Sequence, residues 1–371
     1  MSLRVAIVGC GKIADSHAVQ IRRLEGCDIV GVCDREDLMA GQLAERFTVE
    51  RYFDDLGQLL KETRPDVVHI TTPPQSHFEI GRQCLEHGCH VYVEKPFTVD
   101  AGEAEDLLEM AERRGLKLTV GHDAQFSHAA RRMRELIRRG YLGEPVVHME
   151  SDYGYDLGGP RYAQAFLRDT DHWVRRLPGG LLQNVISHGI ARIAEFLRGD
   201  NPRVIAYGFV SPLLRTFGGG DLLDEVRVIV VDECQTTAYF TFSSQIRPVL
   251  HQFRIFGSKN GLLLDEQQQT VVKLRGAALK SYVERFILPL IFARQHLANA
   301  GRNMRLFLAN DFHMDSGKKE LIAAFYRSIV DSTPAPIPSR EILLTARLMD
   351  SILEQLGKAS SPACRGEAAP C

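Results

Sequence analysis

What this sequence lacks narrows the reading before any motif is considered. It has no apolar run that approaches a membrane span. The segment "FILPLIF", within residues 280–310, is seven residues long with arginines on both flanks, and a bilayer-crossing helix needs about 20. The N-terminus, "MSLRVAIVGCG", has too short an apolar stretch for a signal peptide, so a soluble, cytoplasmic protein is expected. There is no surplus of positive charge: 45 Lys and Arg stand against 47 Asp and Glu, which argues against a nucleic-acid partner. No C-x-x-C pair and no His/Cys cluster of zinc spacing occurs among the eight cysteines, Cys10, Cys27, Cys33, Cys84, Cys89, Cys234, Cys364 and Cys371. Free thiols and no metal centre are therefore expected. Internal repeats and low-complexity tracts are absent too.

What is present is ordinary globular composition. Hydrophobic residues make up 44% and charged residues 25%, enough for a sizeable core. The first third alternates short apolar runs with helical patterns. "RVAIV", "DIVGVCD", "PDVVHITTP", "HVYVEKP" and "LKLTVG" read as strands, and segments such as "HFEIGRQCLEHG" and "AGEAEDLLEMAERRG" read as helices with glycine stops. That rhythm predicts a doubly wound parallel sheet, and near-continuous apolar strands fit burial on both faces. After a linking helix and a second helical stretch over 179–199, strand-like segments follow one another: 203–210, 226–231, 236–244, 250–257, "GLLLD" and "TVVKL". Strands without helices between them predict a mostly antiparallel open sheet. The fold class is thus α/β followed by α+β, with domains at 1–121 and 122–357 and a disordered tail over 358–371.

The first chemistry-bearing motif is "VGCGKIA", directly after a strand and opening a helix. Gly9 permits a tight turn, Gly11 lets the backbone approach a pyrophosphate, and Ala14 is small enough for close helix–strand packing. The helix start, through Lys12 and Ile13, offers free N–H groups and a partial positive charge. Asp34 ends the second strand, 20 residues after Ala14. Its carboxylate suits a ribose diol and repels a 2′-phosphate, which favours NAD. Arg35 beside it leaves NADP open as the alternative.

The second motif is Glu94-Lys95-Pro96 at the end of a strand, about 20 residues after "TTPPQSH". A lysine at the C-terminal edge of a parallel sheet sits where open α/β folds place their chemistry. Near a nicotinamide cation it is less inclined to hold its proton, and it can hydrogen-bond an alkoxide-like oxygen. The third is "GGLLQNVISHG", in which Asn184 and His188 lie four apart and share a helix face. Imidazole suits proton transfer near neutral pH.

These three segments together resemble the Gfo/Idh/MocA family, which groups glucose–fructose oxidoreductases, inositol dehydrogenases and their relatives. The resemblance covers residues 4–200 most clearly. It implies an N-terminal Rossmann domain, a second domain with an open sheet, and nicotinamide-dependent oxidoreduction of a sugar, nucleotide sugar or cyclitol. It also implies a homodimer or homotetramer formed through the C-terminal sheet. By this resemblance Lys95 contacts the substrate hydroxyl that becomes a carbonyl, and Pro96 fixes the strand exit, often through a cis bond. Thr71, Thr72 and Pro73 pass the nicotinamide ribose, with Glu94 at the same site. His77 matches a family histidine, which contacts the cofactor or makes a structural hydrogen bond. His188 becomes the acid/base and Asn184 a hydroxyl-orienting residue.

The chain departs from the family in places. Asn184 stands where the family has aspartate, and it cannot take a proton. Pro74 replaces an asparagine. In "VGHDAQFSHAA", Asp123, Gln125 and His128 replace asparagine, arginine and proline, while Phe126 matches. Gln125 suggests a neutral, hydroxyl-rich substrate. Trp173, the single tryptophan, could stack on a sugar or anchor the core. These departures keep two alternatives in view: a hydrolase or epimerase that uses bound NAD transiently, and an NAD-binding accessory protein without turnover. Residues 280–310 are not explained by the family. A helix or loop packed on the second domain or between subunits, an amphipathic surface segment that touches membrane or a partner, and a lid over the cleft are the readings open there, and membrane contact is not the expected one.

Overall fold

The computed structural model describes residues 2–157, 169, 171–216, 222–275 and 281–359. The chain forms two compact units. One comprises the residues up to Phe126 together with Asp315–Arg347, and the other comprises Ser127–Met314 with the chain from Leu348 onward.

The first unit runs β1 (Leu3–Val8), α1 (Lys12–Ile21), β2 (Cys27–Cys33), α2 (Asp37–Arg46), β3 (Tyr52–Phe53), α3 (Leu56–Thr63), β4 (Val67–Ile70), α4 (His77–Glu86), β5 (His90–Val93), α5 (Ala101–Arg113) and β6 (Leu118–Val120). The strands form a sheet in the order β3-β2-β1-β4-β5-β6, with every pair parallel. All four residues of β4 are buried, because helices cover both faces. The strand order reverses between β1 and β4, and such a switch point opens a crevice at the carboxyl ends of the strands. The residues after β1, β4 and β5 therefore meet at one sheet edge.

The expected boundary placed 122–357 in one domain, whereas the chain returns to the first unit at 315–347. Helix α11 (Ser316–Val330) carries Leu321, Ile322, Phe325 and Tyr326 into the same core as Val5, Ile7, Val68 and Tyr92. Each large side chain withdrawn from water in this way contributes roughly 1.5–3 kcal/mol.

The second unit is built on a seven-stranded sheet in the order β13-β12-β11-β7-β10-β9-β8. Its strands are β7 (Val146–Gly154), β8 (Arg203–Phe209), β9 (Glu225–Val231), β10 (Thr237–Ser243), β11 (His251–Gly257), β12 (Gly261–Asp265) and β13 (Thr270–Leu274). The β7–β10 pair is parallel and the other pairs are antiparallel. Strand β7 lies in the middle of the sheet, yet it was not expected from the sequence. Its outward positions are His148, Glu150 and Asp152 and its buried ones include Met149 and Ser151, so no apolar run announces it. The helical stretch expected over 179–199 is two helices, α7 (Gly180–Val185) and α8 (Ser187–Ala194), divided at Ile186. Helix α8 lies close on the sheet. Ser151 Oγ donates to the Gly189 carbonyl at 3.1 Å, and a Cβ on Gly189 would come within 2.4 Å of the Phe240 ring.

The remaining helices are α6 (His128–Arg138), the short α9 (Pro212–Thr216), α10 (Ser281–Leu308) and α12 (Ser339–Ala359). Residues 281–308, left open by the sequence, are one helix whose Gln295, Asn299 and Asn303 face the sheet edge. Gln295 bonds the Lys273 N–H and carbonyl, Asn299 bonds the Val271 carbonyl, and Asn303 bonds the Gln268 carbonyl. An edge strand's unpaired backbone groups are satisfied in this way. The tail from residue 360, with Cys364 and Cys371, lies outside the described residues. Among the described residues Cys10, Cys27, Cys33, Cys84, Cys89 and Cys234 are free thiols, no cluster could hold a metal ion, and no helix is long and apolar enough to cross a membrane.

Candidate active site

The glycine loop has the conformation its sequence demands. Gly9 adopts φ +95°, and a Cβ there would lie 2.6 Å from the Thr72 backbone nitrogen. Glycine is the residue that tolerates both the dihedral and the contact. A Cβ on Gly11, by contrast, would meet nothing within 4 Å. The space in front of Gly11 is what a pyrophosphate requires. Ala14 is fully buried, and the start of α1 has no side-chain cap, so its first N–H groups suit an anion. Lys12 and Ile13 are exposed beside it. Asp34 Oδ2 accepts the Cys10 N–H at 2.7 Å and Oδ1 accepts the Glu36 N–H at 3.0 Å. The carboxylate is thereby fixed at the end of β2 with lone pairs remaining for a ribose diol. Arg35 is exposed next to it. These residues fit a dinucleotide.

The next two strand ends are tied to this loop. Thr71 Oγ1 donates to the Gly9 carbonyl at 2.5 Å. Thr72 is half-buried and Pro73 exposed. His77 is buried, with Nε2 2.8 Å from the Thr72 carbonyl and Nδ1 3.0 Å from the Pro96 carbonyl and 3.1 Å from that of Phe97. Of its two expected roles, these contacts are those of a structural tie: His77 joins the loop after β4 to the turn after β5. The Lys95–Pro96 peptide bond is cis.

Beneath Lys95 lies a buried polar chain that sequence reasoning missed. Glu94 is 6% exposed. Its Oε1 lies 2.7 Å from His17 Nε2 and 3.3 Å from Lys318 Nζ, and its Oε2 accepts the Lys95 backbone N–H at 3.1 Å. His17 Nδ1 lies 2.8 Å from His69 Nδ1, and His69 Nε2 lies 2.8 Å from the Tyr326 hydroxyl. One proton arrangement satisfies the whole chain. Tyr326 O–H donates to His69, His69 Nδ1–H donates to His17, and His17 Nε2–H donates to an ionised Glu94. Both imidazoles are then neutral. Burial, the first influence on each, lowers the pKa of His17 and His69. Burial would raise the Glu94 pKa, but Lys318 and the His17 hydrogen bond override it and hold the carboxyl well below its ordinary range. Lys95, a half-buried residue, has its pKa lowered by burial, which Glu94 and Asp123 only partly oppose.

The signal that could have found this chain was weak: polar His17 and His69 sit at positions where the helix and strand patterns call for apolar residues. Lys318 and Tyr326 are more than 200 residues from Glu94 and gave no local sign.

The buried histidines make stability depend on pH. His17, His69 and His77 are held below their ordinary pKa by burial. His122 is brought down to about 4, by burial first and then by Lys95. A folded pKa below the unfolded one gives stability that is complete above the unfolded value, near 6.5, and is lost as pH falls through the folded value. His122 alone accounts for about 3 kcal/mol over that window. Thermal unfolding followed from pH 7.5 to 4 should show a nearly constant Tm down to about 6.5 and a steep fall below it. A Tm that stays level between about pH 6.5 and 4.5 would contradict this assignment.

The second unit carries the other predicted residues. From residue 181 to 194, every residue except Asn184 and His188 is buried. The break at Ile186 therefore leaves these two as the accessible positions of the stretch. His188 stacks on Tyr153, with centroids 6.3 Å apart, and Tyr153 stacks flat on His251 at 4.3 Å. Trp173 is half-buried in a short 3₁₀ turn and stacks on His172 at 5.6 Å. Gln125, in the first unit, is 2% exposed, and its Nε2 donates to Glu341 Oε1 at 2.6 Å. Its observed partner is thus a protein carboxylate, which the expectation of a substrate contact did not include.

Comparison with known proteins agrees with this geometry. Residues 3–122 match the GFO_IDH_MocA model, described as an oxidoreductase family with an NAD-binding Rossmann fold. Over residues 3–122 this chain is thus similar to the NAD-binding domain of that family. Among curated relatives, D-glucoside 3-dehydrogenase of Escherichia coli is 34% identical over 39% of this chain and 42% of its own length. Glycosyl hydrolase family 109 protein 2 of Akkermansia muciniphila is 27% identical over 57% of this chain and 47% of its own. The chain thus spans less than half the length of either. The fold extends further. The WlbA dehydrogenase of Bordetella pertussis, solved with NADH and UDP-GlcNAcA, superposes with a TM-score of 0.76 over 96% of both chains at 15% identity.

Proposed function

We propose that this protein oxidises a hydroxyl, or reduces the corresponding carbonyl, on a sugar, nucleotide sugar or cyclitol, with NAD as the hydride carrier. The observation that carries the reading is the joining of three strand ends at one sheet edge: the Gly9–Ala14 loop, Thr71–Pro73, and Lys95 on its buried Glu94–Lys318 base. A bound nicotinamide supplies the hydride acceptor. Lys95 Nζ hydrogen-bonds the substrate oxygen and stabilises the negative charge that develops as hydride leaves the neighbouring carbon. His188 exchanges that oxygen's proton, and Asn184 orients adjacent hydroxyls through its amide. D-glucoside 3-dehydrogenase among the relatives supports the substrate class.

The test is formation of NADH by the purified protein over a panel of glycosides, nucleotide sugars and inositols, in both directions. A Lys95/His188 double-mutant cycle accompanies it. Turnover that each single variant lowers is expected, and strongly non-additive losses would support the reading that both groups serve one step. NAD that copurifies and is never consumed, alongside glycoside cleavage, would favour the second reading. That reading is internally recycled cofactor, prompted by the family 109 glycosyl hydrolase relative.

Asp34 supports NAD over NADP in this reading. Replacing Asp34 with Asn removes a charge that would repel a 2′-phosphate. The NAD-to-NADP ratio of kcat/KM should fall about tenfold or more. An unchanged ratio would leave the preference to Arg35 or to other residues. A homo-oligomer closed through the open sheet face is also part of the proposal. That face exposes Ile205, Tyr207, Ile229 and Tyr239.

A further inference from the structure

Helix α10 turns one side to the edge of its own sheet and leaves a second, apolar side in water. Phe286 is 75% exposed, Leu290 69%, Leu297 75%, Met304 58%, Phe307 65% and Leu308 76%. Ala293 and Ala300 are exposed in the same line. From Leu290 onward the positions are 290, 293, 297, 300, 304 and 307, an alternation of three and four residues. That spacing is the seam of a coiled coil, which is narrower than the apolar face of a membrane-surface helix. Gln295 and Asn299 pin the other side to β13, and Asn303 pins it to Gln268 in the turn before that strand, so the helix cannot roll to hide the seam.

We propose that this seam closes on the same seam of a second copy of the chain, antiparallel, about a twofold axis near Ala298. The six seam positions after Pro289 then pair among themselves. Leu290 meets Phe307 of the other copy, Ala293 meets Met304, and Leu297 meets Ala300. Each alanine faces a large residue, so every layer is filled. A parallel pairing would set alanine against alanine twice and leave voids, whose lining loses contacts outright. The antiparallel register also brings Arg294 beside Gly301, two residues out of level, and clear of a second arginine. A contiguous apolar stripe of this size is one that monomers rarely leave in water. Closing it buries on the order of 1,200 Å² in total, the lower bound of a specific interface. A lipid surface would require none of this volume matching.

The test uses the full chain. Light scattering after size exclusion is compared for the wild type and Leu297→Glu, with NAD binding as the check that the variant is folded. The expected result is a wild-type assembly whose mass the variant halves, whether or not the sheet face holds a further contact. For the register, Leu290→Cys protein and Phe307→Cys protein are mixed under mild oxidation, with Cys234, Cys364 and Cys371 replaced by serine in both. A disulfide between the two variants, exceeding either self-pair, is expected. A wild-type monomer, or a mass unchanged in folded Leu297→Glu, overturns the proposal. Sedimentation with phosphatidylserine-containing vesicles that Leu297→Glu abolishes, without any change of mass, assigns the helix to a membrane surface instead.

Discussion

Lys95→Ala should lower kcat by about a thousandfold or more while NAD affinity changes little. Loss of a single donor aimed at a developing oxyanion costs 10²–10³ in rate, and the proton exchange assigned to His188 then proceeds without that stabilisation. In the proposed reading the dinucleotide is held elsewhere, by the Gly9–Ala14 loop, the start of α1 and Asp34. Lys95→Arg should not rescue the variant. A planar guanidinium is larger, stays charged at all working pH values, and has no place beside the buried Glu94. Steady-state kinetics with NADH fluorescence titration would separate the two quantities. A kcat within about tenfold of the wild type would remove Lys95 from the chemistry.

Lys318→Met should produce the largest loss of stability. Lys318 is 3% exposed and Glu94 6%. Burial alone would lower the Lys318 pKa, but Glu94 and Asp123 prevail and raise it. Removing one partner of such a pair leaves an uncompensated buried charge, at a cost of about 3–5 kcal/mol. Melting of the first unit should fall by about 10 °C. Glu94→Gln combined with Lys318→Met should recover most of that loss, since the orphaned charge is gone. A folded Lys318→Met enzyme should also show its alkaline limb at higher pH, because Lys318 is among the groups that lower the Lys95 pKa. A Tm within about 2 °C of the wild type would mean that water, or a shift of the His17–Glu94 pair, already neutralises Glu94.

Much of this was legible along the chain, for a physical reason. The glycine loop, Asp34 and the Glu94-Lys95-Pro96 turn are local devices, fixed by dihedrals and strand ends a few residues apart. The structure finds φ +95° at Gly9 and open space at Gly11 where the spacing placed them. The strands after residue 200 were also readable, since alternation along "TTAYFTF" reflects a sheet covered on one side. Strand β7 was not, because its outward His148, Glu150 and Asp152 mask the pattern. The break at Ile186 was not readable either, since nothing in "LQNVISHG" interrupts helix propensity. Local sequence could not supply Gln125's partner, Glu341, which lies 216 residues away.

The sequence by itself determined the parallel nucleotide-binding sheet, the cofactor class and the placing of the glycine loop, Asp34 and Lys95 at strand ends, because each depends on interactions within one strand–turn–helix unit. The tertiary structure alone decided what stands beneath Lys95. The return of residues 315–347 to the first unit brings Lys318 to Glu94 and Tyr326 to His69. No local pattern encodes that convergence, since buried charges and tautomers are settled only by the partners that folding assembles around them.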